Sequence, residues 1–163
     1  MTKILVLSDS HSGLSFMRHC IDRVKPQHII HLGDHYADGE VMAQEYPHVR
    51  FHQVPGNCDR HRITPWQADI LSYSIEGVHF YMTHGHLHGV KSGLHRLLLD
   101  ARKSKADVVL YGHTHNADCH REEDGLYILN PGACGSWSGS VGVLEIADGA
   151  VSACSIMKQA DLD

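Results

Sequence analysis

Apolar residues in this chain fall in short dense runs, and nearly every run stops at a cluster of small polar residues. Ile4-Leu5-Val6-Leu7 is a continuous run of strand formers that ends in Ser8-Asp9-Ser10-His11-Ser12-Gly13. A run without alternation predicts a strand buried on both faces. Leu14, Met17, Ile21 and Val24 then recur at helical spacing up to Pro26, predicting a helix whose start Asp9 or Ser12 would cap. His28-Ile29-Ile30-His31-Leu32 predicts a second strand, closed by Gly33-Asp34-His35-Tyr36. Strand, helix and strand within about thirty residues is the spacing of a right-handed parallel crossover. Both strands then end on the same edge, where open α/β sheets collect their ligands.

The pattern continues. A helix is expected from about Asp38 to Tyr46, with Pro47 as its stop. The alternating stretch Val49 to Val54 predicts a strand that runs into Pro55-Gly56-Asn57-Cys58-Asp59, and residues 60–69, with Pro65 and Trp66, read as a connection. Ile70 to Ile75 and Val78 to Met82 alternate around Glu76-Gly77, a hairpin signal, and the second run ends in Thr83-His84-Gly85-His86. Leu94, Leu97, Leu98 and Ala101 predict a helix, with Arg102, Lys103 and Lys105 where its dipole favours cations. A strand from Asp107 to Tyr111 leads into Gly112-His113-Thr114-His115. Beyond it the pattern is antiparallel: Leu126 to Leu129 stops at Asn130-Pro131-Gly132, and Val141 to Ile146 and Val151 to Ile156 flank Asp148-Gly149. The polar tail from Lys158 is expected to fray.

The chain has 163 residues and shows no repeat, low-complexity tract or linker, so one domain spanning 1–163 is expected, large enough to bury roughly 70% of its unfolded surface. Its 14 Lys and Arg against 19 Asp and Glu leave a net charge of −5 without blocks of like charge. Bulk attraction to duplex nucleic acid or to an anionic membrane is therefore unsupported. Five cysteines, an odd number without a Cys-x-x-Cys pair, indicate neither a disulfide framework nor a zinc ribbon. With no secretory signal or membrane-spanning run in view, a cytoplasmic location is expected.

Histidine is the outlier, with 16 in the chain. His28, His48, His52, His79, His95 and His120 lie in polar or alternating contexts and read as surface imidazoles. His31 reads as a hydrogen-bonded histidine rather than a ligand, and His35 and Cys134 as structural. The informative histidines share a strand end with other donors. Asp9 and His11, and again His113 and His115, stand at i and i+2, which on an extended backbone project to one side and can grip a metal.

Five clusters thus each follow a strand: Asp9-x-His11, Gly33-Asp34, Gly56-Asn57-Cys58-Asp59, His84-x-His86 and Gly112-His113-x-His115. Together they offer carboxylate, imidazole and amide donors with no thiolate pair. That mixture suits Mn²⁺, Fe²⁺, Co²⁺, Ni²⁺ or Zn²⁺ better than a soft-metal site.

In this order the motifs resemble the calcineurin-like metallophosphoesterases over nearly the whole chain. The short length, Gly56-Asn57-Cys58-Asp59, Thr83-His84-Gly85-His86 and Asn130-Pro131-Gly132 are similar to the compact bacterial and archaeal phosphodiesterase subgroup. The resemblance implies an α/β fold, a four-layer α/β/β/α sandwich of two mixed sheets flanked by helices. It implies that Asp9, His11 and His115 hold one divalent ion, that Asn57, His84 and His113 hold a second, and that Asp34 bridges them. Mn²⁺ is the first expectation, with Ni²⁺, Fe²⁺, Co²⁺ or Zn²⁺ as alternatives. Two dications roughly 3.5–4 Å apart repel strongly, which a shared anion offsets. His113 and His115 then serve different ions, so the same-side picture of the pair is too simple.

The implied activity is hydrolysis of a small phosphate ester, foremost a phosphodiester, by attack of a metal-bridging hydroxide. Many family members carry histidine at the position of Cys58. A thiol, with an ordinary pKa of about 8.5, is a poorer proton donor, so leaving-group protonation is expected to fall to water or to His86. Asp59 is read as a carboxylate behind the ligands that orients an imidazole. Asn57, Cys58, Asp59 and His86 are thus the candidate catalytic residues. The alternative is a weakly catalytic protein-interaction scaffold of the same fold, like the eukaryotic retromer subunit that resembles this subgroup. Ligand loss marks that scaffold, whereas all seven expected ligands stand in this chain. Family members often self-associate, so a homo-oligomer fits the resemblance.

Overall fold

The computed structural model describes residues 1–59 and 67–163. Pro65 and Trp66, within the expected connection, lie outside the described residues. The chain runs β1 (Thr2–Leu7), α1 (Leu14–Val24), β2 (His28–His31), α2 (Tyr36–Glu45), β3 (Arg50–Gln53), β4 (Ile70–Ile75), β5 (Val78–Thr83), α3 (His95–Lys103), β6 (Val108–Leu110), β7 (Asp118–Arg121), β8 (Tyr127–Asn130), β9 (Val141–Ala147), β10 (Ala150–Met157) and α4 (Gln159–Leu162).

The strands form two mixed sheets of five, in the orders β10-β9-β1-β2-β3 and β4-β5-β6-β8-β7. β1, β2 and β3 are parallel, as are β5, β6 and β8. Period-two alternation sorts their side chains into layers. Ile4, Val6 and Ile30 of the first sheet meet Phe80, Met82 and Leu110 of the second in a central core. Leu5, Leu7 and Ile29 face the other way, onto Phe16, Met17 and Met42 of α1 and α2. Tyr81, Val109 and Ile128 pack under Leu97 and Ala101 of α3. The result is a four-layer α/β/β/α sandwich, and it explains why the parallel strands read as unbroken apolar runs: each is covered on both faces.

Several expectations need correction. Neither Asp9 nor Ser12 caps α1. Gly13 occupies the cap without a side-chain bond, because the Asp9 carboxylate turns toward His113 and His115 and the Ser12 N–H donates to Asp38. α2 begins at Tyr36 rather than Asp38, since the Asp59 carboxylate accepts the N–H groups of His35 and Tyr36 at its start. The tail does not fray: α4 forms, Arg23 donates to the carbonyls of Leu162 and Asp163, and Leu162 packs against the α1 core. β7 had no sequence prediction; its Asp-Cys-His-Arg run pairs with β8. His28 is buried rather than exposed, its Nδ1 lying 2.9 Å from His52 Nε2.

Candidate metal centre

Each of the five polar clusters follows the carboxyl end of a parallel strand: β1, β2, β3, β5 and β6. Backbone bonds stitch the clusters together. Asp9 N–H donates to Gly33 O, Ser10 N–H to Asp34 O, and Gly112 N–H to His84 O. The chain leaves extended geometry at once, for Asp9, His11, Asp34, His113 and His115 all have positive φ, between 42° and 70°. Left-handed backbone costs a non-glycine residue about 1–2 kcal/mol. Five such residues gathered at one place mark it as a site whose geometry the surrounding fold imposes. The same conformation overturns the picture of i and i+2 side chains pointing to one side of a strand.

Two groups of donors result. Asp9, His11 and His115 offer ligand atoms within 4.8 Å of one another, and so do Asp34, His84 and His113. In the first, His115 Nε2 lies 3.0 Å from Asp9 Oδ1. In the second, His84 Nε2 lies 3.5 Å from Asp34 Oδ2 and 3.2 Å from His113 Nδ1. A distance of 3.9 Å from His84 Nε2 to Asp9 Oδ1 links the groups. His113 and His115 fall on different sides of this division.

Close approach at glycine makes the second group possible. A Cβ on Gly56 would stand 2.2 Å from Asp34 Oδ1 and 2.9 Å from His84 Nδ1. A Cβ on Gly112 would stand 2.1 Å from Ser8 Oγ and 2.9 Å from Asp9 Oδ2. Neither space admits a methyl group without displacing a ligand or its support.

Hydrogen bonds aim the ligands. His84 Nδ1 donates to the Leu32 carbonyl at 2.7 Å, which turns Nε2 toward Asp34, as metal-binding imidazoles are usually oriented. Cys58 N–H donates to Asp34 Oδ1 at 2.9 Å, and Ser8 Oγ donates to Asp9 Oδ2 at 2.6 Å. Burial opposes ionisation of Asp34, yet His84 and the Cys58 N–H outweigh it and hold the carboxyl well below its ordinary range. Burial alone would lower the His84 pKa, but its bond to Asp34 and the charges of Asp9 and Asp34 raise it. His113 is pushed down by burial, then by His84 and Lys91. The pocket therefore carries a negative field directed at its imidazoles.

Asn57 supplies a further donor. Its Oδ1 is buried without a hydrogen-bond partner, while its Nδ2 faces Cys58 Sγ at 3.7 Å. An amide oxygen is rarely buried unpaired, so this one fits a cation. Cys58 is exposed at the rim, with its thiol pKa raised by burial and by Asp34. His86 does not sit apart in an open loop. Its ring lies 5.5 Å from that of His84 and 6.1 Å from that of His113.

Asp59 corrects the expectation of an imidazole partner. Its carboxylate accepts four backbone N–H groups, those of Asp34, His35, Tyr36 and Gly56. It shapes the Asp34 loop, not a histidine ring. Residues with no sequence signal do similar work. The Gly33 N–H donates to His31 Nδ1, so the facing His31 Nε2 donates to Ser10 Oγ, whose hydroxyl donates to the buried Asp38 carboxylate. Asn130 Nδ2 donates to Gly112 O and Thr114 Oγ1, holding the turn that carries His113 and His115.

The sequence profile of the calcineurin-like phosphoesterase superfamily domain matches residues 2–149. The chain belongs to this superfamily. A Methanocaldococcus jannaschii protein named Phosphodiesterase MJ0936 is 29% identical over 165 residues, covering 90% of this chain and 92% of its own. A conserved Streptococcus pneumoniae protein, predicted to be a phosphoesterase, has a crystal structure that superposes with a TM-score of 0.77 at 23% identity, covering 98% of this chain and 91% of that one. Vacuolar Protein Sorting 29 from Cryptosporidium parvum superposes with a TM-score of 0.70 at 18% identity, covering 97% and 98%. At these identities the two structures share the fold and nothing finer. Membership makes the chain a metal-dependent phosphoesterase at the level of the family, and the unpartnered Asn57 Oδ1 beside two convergent donor groups fits metal binding. Among the described residues, no helix is long and apolar enough to cross a membrane.

Proposed function

We propose that the chain is a binuclear phosphodiesterase that hydrolyses a small phosphate ester. The observation that carries this reading is the abutment of two donor groups at one sheet edge, with the unpaired Asn57 oxygen beside the second. Asp9, His11 and His115 would hold one divalent cation, Asn57, His84 and His113 the other, with Asp34 shared. Mn²⁺ comes first among the ions that suit these donors. Bound cations would supply Lewis acidity and a hydroxide nucleophile at neutral pH.

The residues themselves set charge and position. Four positive charges from two dications, less one each from Asp9 and Asp34, leave a net +2 to attract an anionic ester. Asn57 preserves that surplus because its amide is neutral. Cys58 anchors Asp34 through its backbone N–H, and its protonated thiol offers only a weak hydrogen bond. Protonation of the leaving oxygen is assigned to water or to His86, whose ring stands beside the second group. A second reading, a protein-interaction scaffold, is supported by the likeness of fold to Vacuolar Protein Sorting 29. It predicts metal uptake without turnover.

The test is hydrolysis of a chromogenic phosphodiester and monoester by metal-stripped protein resupplied with Mn²⁺, Ni²⁺, Zn²⁺ or Mg²⁺. Turnover restored by metal, with the diester ahead, supports the proposal. Turnover indifferent to metal removal contradicts it, and metal uptake with no turnover favours the scaffold.

A further inference from the structure

A groove of about 570 Å³ opens beside the first donor group, with Asp9, His11 and His115 on its wall together with Ser136, Ser138 and Lys158. Its volume falls in the range of roughly 300–1,000 Å³ that holds a whole small molecule, so it exceeds what a bare phosphate requires. The lining selects among molecules. Among the described residues it contains no Phe, Tyr or Trp and no aliphatic side chain larger than alanine. A nucleobase finds no aromatic platform there beyond two imidazoles committed to Asp9, and a lipid chain finds no apolar wall. What the groove offers is hydroxyl groups, an amide and one ammonium.

That ammonium is placed by the element that sequence reading missed. Lys158 precedes α4, and its backbone N–H is fixed by the Asp161 carboxylate at 2.9 Å. Its side chain forms no ion pair among the described residues, and it is the sole Lys or Arg on the groove wall. The seryl wall is held in shape as well: Ser136 and Ser138 hydroxyls meet at 2.8 Å, and Ser140 Oγ donates to Pro131 O at 2.7 Å. Gly135 and Gly139 in the same stretch keep the wall thin, for a Cβ on either would meet backbone oxygen, at 2.9 Å and 2.2 Å.

We propose that this groove receives one arm of the substrate ester, and that Lys158 selects an arm that is hydroxylated and carries an anionic group of its own. The inference rests on the reading of the donor groups as a phosphoesterase centre, since it is the phosphate held there that would direct the arm into the groove. The substrate class is a phosphate ester of a polyol or sugar with a second phosphate or carboxylate. A phosphodiester with two flat uncharged arms would react without using the groove.

The test compares fructose 1,6-bisphosphate with fructose 1-phosphate, which share a sugar and differ by one anion. Each is measured on the Mn²⁺-loaded protein, as an inhibitor of bis(4-nitrophenyl) phosphate hydrolysis and directly by titration calorimetry. The bisphosphate is expected to bind about fivefold more tightly or better, as one partly exposed charge pair allows. K158A should reduce that ratio to about one, K158E should invert it, and K158R should retain it. An equal ratio in wild type and K158A overturns the groove assignment, as does a wild-type ratio near one. If wild-type protein shows no metal-dependent turnover, the phosphoesterase reading fails on that result alone. The calorimetric ratios still decide whether Lys158 reads the second anion.

Discussion

His84 is fully buried while the His115 side chain is 51% exposed, and the two donor groups differ throughout in the same way. Around Asp34, His84 and His113, the Leu32 carbonyl, the Cys58 N–H and the Gly56 backbone leave the ligands almost no freedom. Around Asp9, His11 and His115, the carboxylate is buried and supported by Ser8, but both imidazoles stand in solvent. A preorganised group loses less conformational entropy on binding. The inner group should therefore hold its ion more tightly, and the outer one should exchange its ion and meet substrate. The groove with Lys158 opens on the outer side, consistent with that division.

Removing the shared carboxylate would break the comparison outright. Asp34→Asn is expected to lower metal-dependent turnover by about a thousandfold or more, the scale seen when a charge-stabilising group is lost from a site. Steady-state assays at saturating Mn²⁺ check this, and turnover within a few-fold of wild type would count against a shared ligand.

The network joining the two regions is exposed to acid. His31 is wholly buried, and burial lowers its pKa from 6.5 to about 4 against the opposing pull of Asp38 and Asp59. The unfolded chain takes up this proton at a higher pH than the folded one does. Stability from the neutral ring is thus complete above about pH 6.5 and is lost as pH falls toward 4, up to about 3 kcal/mol. Urea unfolding of wild type at pH 7.5 and pH 5 should show this loss, and His31→Gln should lose less stability between the same two conditions.

The ligand histidines sharpen the contrast. After dialysis against a weak chelator, His115→Ala should retain the inner ion, whereas His84→Ala should lose it with a drop in affinity of about a hundredfold. Metal analysis of the two variants reads the difference, and equal retention would erase the distinction between the groups. A smaller effect is expected from Gly56→Ala, whose Cβ would stand 2.2 Å from Asp34 Oδ1. It should cost about 2 kcal/mol of unfolding free energy and weaken the inner ion, both measurable without substrate.

Much of this was legible in the sequence because parallel strands read as unbroken apolar runs, and whatever follows them lands on one edge. The positions of Asp9, Asp34, His84 and His113 at strand ends follow from that rule. What supports them was not legible, since it acts across distance. Asp59 was expected near the site, but its partners are backbone amides of a loop 23 to 25 residues earlier, which no side-chain pattern records. Asp38 looked like the first residue of a helix and is instead the acceptor for Ser10 and Ser12. α4 spans four residues, too few to show a period, and is held by Arg23 from a distant helix. His28 looked exposed because its strand begins there, and its burial arises from stacking on His52 of the neighbouring strand.

The central claim is that the two donor groups hold two ions side by side. Titration of metal-stripped protein with Mn²⁺, followed by electron paramagnetic resonance, tests it without any assumption about substrate. Two equivalents bound per chain, with the spectrum of an exchange-coupled pair appearing as the second equivalent is added, is the predicted result. A single equivalent, or two equivalents giving only the signal of isolated Mn²⁺, would contradict the account.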